Sequence, residues 1–147
     1  MPDIHPIRLH GPWNAQVLEC FESSQSFEPD RRVKVPSDWS NWLGTDFCGR
    51  VAFHRTFNRP TRLIEGQRVW LVVEEVDFRG VISLNDNLLG KLELGQLPLR
   101  VEVHFLLQQS NQLRIEIEMP VDANRPDRSS LAGGLTASVR LEIHEFT

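Results

Sequence analysis

The sequence predicts an all-β fold, arranged as a two-sheet antiparallel β-sandwich, and three observations point there. Apolar side chains recur at every second position in several short segments, the period of a half-buried strand. No long stretch sustains the 3.6-residue apolar period of an amphipathic helix. The segments are separated by Gly, Pro, Asn and Asp, residues that turn the chain, and two sheets packed face to face would close such strands around one core.

Taken in chain order, strands are expected at Gln16 to Phe21 and Gly49 to Phe57. The strand Val69 to Glu74 is apolar on both parities, as a sheet centre covered on both faces would be. Val81 to Asn85 and Leu88 to Leu94 flank Asp86 and Asn87, which tolerate positive φ and suit a tight hairpin. Val101 to Phe105 alternates with Glu102 and His104 on the opposite face, and Phe105 to Gln109 could hold a short turn. Leu113 to Met119 shows the cleanest alternation, and Val139 to His144 repeats it. The less regular segments, Ser23 to Asp46 and Met119 to Gly134, are the expected carriers of function, because binding residues concentrate on long loops over a rigid scaffold.

At 147 residues the chain fits one domain, 1–147, large enough to bury a core without staples. Charged residues make up 24% and apolar ones 40%, which excludes a disordered class, and the longest apolar run, Val69 to Val73, falls far short of the ~20 residues a membrane helix needs. A formal charge of -4 and only two lysines, Lys34 and Lys91, with arginines interleaved among acids, argue against nucleic acid as a partner. Neither a nucleic-acid nor a membrane partner is expected. The N-terminus shows no basic, apolar and small-residue sequence of an export signal, so a cytoplasmic protein is expected. Cys20 and Cys48 lack metal-type spacing and are expected to be two buried thiols.

Four segments, in order, resemble the N-terminal sugar-binding domain of family 2 glycoside hydrolases, the group of β-galactosidases, β-glucuronidases and β-mannosidases. They are Val35-Pro-Ser-Asp-Trp39; Gly49 to Pro60; Glu75-Val-Asp77 through Val81 to Asn85, Gly90, Pro98, Glu102 and Asn111 to Ile117; and Gly133-Gly134 to Leu141. The resemblance implies a galactose-binding-domain-like jelly roll. Departures occur at Glu75 and Asp86, where the family usually has glycine, at Ala137, where arginine is frequent, and at Phe47 and Phe53, where tyrosine would be expected. Each lost hydroxyl removes a hydrogen-bonding handle.

The resemblance also implies that catalysis belongs to a barrel that would follow this domain, so the chain is expected not to be an enzyme. Glycoside hydrolysis by retention needs two carboxyl groups about 5 Å apart. The densest acidic cluster, Glu74, Glu75 and Asp77, is expected to be a solvated strand end, since neighbours along a strand point to opposite faces. His5, His10, His54, His104 and His144 are scattered and read as isolated surface groups; no metal or cofactor motif occurs among them.

Sugar recognition needs an aromatic face for the C–H side of a pyranose with amides or carboxylates nearby for its hydroxyls. The loop 37–46 offers both, giving Asp38, Trp39, Asn41, Trp42 and Asp46 as the candidate carbohydrate-binding residues. Trp39 is expected to anchor the loop and Trp42 to be the stacking platform, while Trp70 is expected in a buried strand. Asp122, Asn124, Arg125, Asp127 and Arg128 form a second polar loop, expected to be solvated. The expected role is a non-catalytic carbohydrate-recognition module. The alternatives are a structural or protein-interaction domain that has lost the sugar site, or a subunit or fragment of a larger glycoside hydrolase; the expected partners are a carbohydrate or a protein supplying a catalytic domain.

Overall fold

The structure is a computed structural model and describes residues 4–21, 30–36, 38–43, 47–93, 96–120 and 134–145. In chain order the elements are β1 (Ile4–Arg8), β2 (Trp13–Cys20), β3 (Arg31–Val33), one helical turn α1 (Ser40–Leu43), β4 (Gly49–Asn58), β5 (Gln67–Val73), β6 (Arg79–Leu84), β7 (Asn87–Glu93), β8 (Leu99–Glu102), β9 (Ser110–Met119) and β10 (Val139–Glu145). They form a four-stranded sheet, β1-β10-β5-β8, and a six-stranded sheet, β3-β2-β4-β9-β6-β7, with antiparallel pairing throughout. The expected sandwich is the observed one.

Alternation decides which side chains face inward. On β9, Leu113, Ile115, Ile117 and Met119 are at most 1% exposed, while Arg114, Glu116 and Glu118 lie on the outer face. Val69, Leu71 and Val73 of β5 supply the opposing layer, joined by Trp13, Phe53, Ile82 and Leu84. Phe47 and Phe53 sit inside this core, where a tyrosine hydroxyl would require a buried partner. β5 lies between β10 and β8, and its outward-facing Val72 is also fully buried. In register Val72 stands between Arg140 and Arg100, whose aliphatic stems can cover it.

Three departures from expectation have local causes. β1 and β3 were not foreseen; one contains Pro6 and the other is three residues long, and both are edge strands defined by their pairing rather than by their own pattern. The strand expected at Val101 to Phe105 instead runs Leu99–Glu102. After the Val103 amide bonds to the Val69 carbonyl, His104–Leu106 turn into a 3-10 helix and leave Phe105 78% exposed. The hairpin between β6 and β7 turns on Asn85 and Asp86, one residue earlier than expected, with φ of 49° and 66° and Leu84 paired to Asn87.

Asn85 fixes that turn to β9. Its backbone amide and side-chain Oδ1 form a reciprocal pair with Gln112, and its Nδ2 donates to Asn111 Oδ1 at 2.9 Å and to the Leu106 carbonyl. Asn111 is fully buried and satisfied: Oδ1 also accepts the Gln108 amide, and Nδ2 donates to the Phe57 and Gln108 carbonyls. One residue, Leu89, is accommodated as a bulge beside Gly90. Leu94, Asp46, Gly133 and the loop 121–133 lie outside the described residues.

Candidate functional site

The loop proposed for sugar binding begins at a β3 edge and closes in α1. The Trp42 and Leu43 amides donate to the Trp39 carbonyl at 3.1 and 2.7 Å, so one helical turn carries both tryptophans. Trp39 is 1% exposed, edge-on to Phe47 at 5.2 Å between ring centroids, and serves as the loop anchor. Gly134 approaches it closely: a Cβ there would lie 2.9 Å from Trp39 Cε3, and Gly134 has a φ of +89°. Asp38 is half-buried and engaged, Asn41 is exposed, and Asp46 lies outside the described residues.

Trp42 is half-buried against the core, and its indole Nε1 is buried without a hydrogen-bond partner among the described residues. The guanidinium of Arg31, from β3, lies over the ring at 5.4 Å from its centroid. That cation–π contact brings in a residue the sequence reading passed over. The sequence showed no strand there, and only the pairing of β3 with β2 sets it above Trp42.

The acidic cluster is dispersed. Glu74 accepts a hydrogen bond from Arg140 Nη1, Glu75 is exposed, and Asp77 is 6% exposed with its backbone bridged to Gly134 in both directions. The outer face of the four-stranded sheet holds a more connected group. Glu142, 4% exposed, accepts from Arg100 Nη1 at 2.8 Å and Arg140 Nε at 2.8 Å, and pairs with His144 Nε2 at 2.9 Å. His144 is therefore not the isolated surface group expected of it; its ring also stacks on Trp70 at 5.6 Å. Trp70 itself is half-buried on this outer face rather than enclosed in the core.

Burial works to raise the Glu142 pKa, but the hydrogen bonds from His144, Arg140 and Arg100 outweigh it and hold the carboxyl below its ordinary value. The strand alternation Arg140-Leu-Glu142-Ile-His144 already placed these three on one face. Their partners Glu74, Arg100 and Trp70 come from other strands, so the network is tertiary.

A cleft of about 830 Å³ opens where the β1–β2 connection meets the segment after β3. Its floor is Pro12, Val33, Val35 and Pro36, and Arg32, Lys34 and His10 stand at its walls. The Val35 amide donates to the His10 carbonyl at 2.7 Å and ties the two walls together. The cysteines near the other end of β2 are half-buried rather than buried and form no disulfide; Cys20 stands opposite Gly49, and the Phe21 amide bonds the Cys48 carbonyl at 2.9 Å.

Known proteins place this architecture. Residues 37–142 match the family described as glycosyl hydrolase 2 galactose-binding domain-like. Among curated proteins none matches significantly. A β-glycosidase from Bacteroides vulgatus superposes with a TM-score of 0.74 at 20% identity, over 95% of this chain and 20% of that one. A Bifidobacterium dentium β-glucuronidase in complex with coumarin-3-O-glucuronide gives 0.74 at 20% identity, over 97% of this chain and 30% of its own. A Faecalibacterium prausnitzii β-glucuronidase gives 0.74 at 17% identity, over 97% and 32%. The chain thus spans between a fifth and a third of these enzymes, and the likeness at such identity is one of fold. With the family match covering most of the sequence, from the loop before α1 to β10, the chain belongs to the glycosyl hydrolase 2 galactose-binding domain-like family.

Proposed function

We propose that the chain is a non-catalytic carbohydrate-recognition domain that contacts saccharide weakly at the surface formed by Arg31, Asn41 and Trp42. The observation that carries this reading is the half-buried Trp42 ring, held on a rigid turn with a guanidinium 5.4 Å from its centroid and an exposed amide one residue away. An indole offers an apolar face to pyranose C–H groups, and Arg and Asn donate to hydroxyls. Because Arg31 covers part of the ring, a sugar must displace it or use the remaining edge. Affinity for a monosaccharide should be about millimolar, near 4 kcal/mol.

Titrating the purified protein with the neutral sugars galactose or mannose while following tryptophan fluorescence tests the reading. A saturable change that disappears in Trp42→Ala and persists in Trp70→Ala is expected. Response retained without Trp42 places the site elsewhere. No response to any sugar supports a second reading, a structural or protein-interaction domain.

A further inference from the structure

Six arginines on the described surface are neutralised. Arg50, Arg68, Arg79, Arg100, Arg114 and Arg140 each pair with a glutamate, and the outer face of the six-stranded sheet is a ladder in which Arg50 alone touches Glu19 at 2.7 Å and Glu116 at 3.3 Å. Arg32 and Lys34 are different. Both are exposed, both stand at the 830 Å³ cleft, and neither has an ion-pair partner among the described residues. In a chain of formal charge -4, these two cations stand together at a cleft that Pro12, Val33, Val35 and Pro36 also line.

We propose that this cleft is a saccharide site in its own right, separate from the Trp42 surface and selective for sugars that carry an acidic group. Its size lies within the range of about 300–1,000 Å³ common to small-molecule sites. The floor matches the C–H face of a sugar ring. Arg32 provides a planar fork for a carboxylate or sulfate, and Lys34 a point charge beside it. The backbone bond between Val35 and His10, and the fixed φ of Pro12 and Pro36, hold the walls before any ligand arrives.

The neighbouring hollow extends the site. It shares Pro12 and Arg32 with the cleft and continues to Asn14, His54 and Arg55. Burial, with Arg114 nearby, pushes the His54 pKa down, so that at neutral pH its ring can both donate and accept. Asp30 accepts a hydrogen bond from Asn14 Nδ2 at 3.3 Å. A ring in the cleft would therefore present its anion to Arg32 and Lys34, with polar groups toward the hollow for a second residue.

Calorimetric titration with glucuronic acid, N-acetylglucosamine 6-sulfate and galactose tests the proposal at low salt. Either acidic sugar should bind at least about tenfold more tightly than galactose, which is about 1.4 kcal/mol, and the stronger of the two identifies carboxylate or sulfate as the preferred anion. Arg32→Ala and Lys34→Ala should each weaken the acidic sugar several-fold, the double charge reversal R32E/K34E should abolish it, and Trp42→Ala should leave it unchanged. Thermal melts should show all these variants folded, since the altered side chains are exposed. Equal binding of galactose, wild-type affinity in R32E/K34E, or no saturable binding of either acid would overturn the proposal. So would binding of a polyglutamate peptide through Arg32 and Lys34 that neither sugar displaces, which would assign the cleft to a protein partner.

Discussion

Glu142 shows how a single buried charge is made tolerable. Removing a carboxylate from water is costly, and Arg100, Arg140 and His144 supply the charge and donors that offset the cost. Because the folded pKa lies below the ordinary value of 4.5, the carboxylate contributes stability that is fully present above that value and is lost as pH falls through the folded pKa. Glu142→Gln should therefore lower stability at neutral pH by about 1.5–3 kcal/mol, the usual worth of hydrogen bonds to a charged group. The gap from the parent protein should narrow as the pH is lowered below 4.5. Urea titrations at neutral pH and on the acid limb measure both quantities, and a gap independent of pH would reject the assignment.

Among the elements, the β6–β7 hairpin shows local chemistry constrained by its surroundings. A two-residue turn with positive φ at both centres favours asparagine followed by glycine, because glycine has no Cβ to crowd the left-handed region. Asn85 meets the first requirement and adds the bonds to Asn111 and Gln112. Asp86, at φ 66° and exposed, carries strain that the family's usual glycine would not. Asp86→Gly should thus raise stability by up to about 1 kcal/mol, read as a higher melting temperature with unchanged far-ultraviolet circular dichroism. A lower melting temperature would show that the aspartate side chain contributes more than its backbone strain costs.

For the molecule as a whole, several glutamates on the outer faces of the sandwich are held in ion pairs among the described residues. Glu74 is bound to Arg140, Glu116 to Arg50 and Arg114, and Glu118 to Arg79. A retaining glycosidase needs one free nucleophilic carboxylate and one protonated partner about 5 Å away. The purified protein should accordingly release no nitrophenol from nitrophenyl β-galactoside or β-glucuronide. Turnover that survives rigorous purification and disappears in Glu74→Gln or Glu75→Gln would overturn this expectation.

What the sequence determined by itself was periodic. Alternation in Leu113 to Met119 and Val139 to His144 required one buried face, and a strand has only two faces, so the core residues and the sandwich class followed from the pattern. The order of Trp39, Gly134 and the segments between them carried the family likeness, and Trp39 was legible as an anchor. Strand partners, edges and clefts were decided only by tertiary structure, because pairing joins positions far apart in the chain and leaves no period in either segment. Arg31 over Trp42, Trp70 against His144, and Glu142 between Arg100 and Arg140 all depend on register between strands. Arg32 and Lys34 read as ordinary surface cations in the sequence; only the folding of the Gly11-Pro12 connection beside them made the cleft that they line.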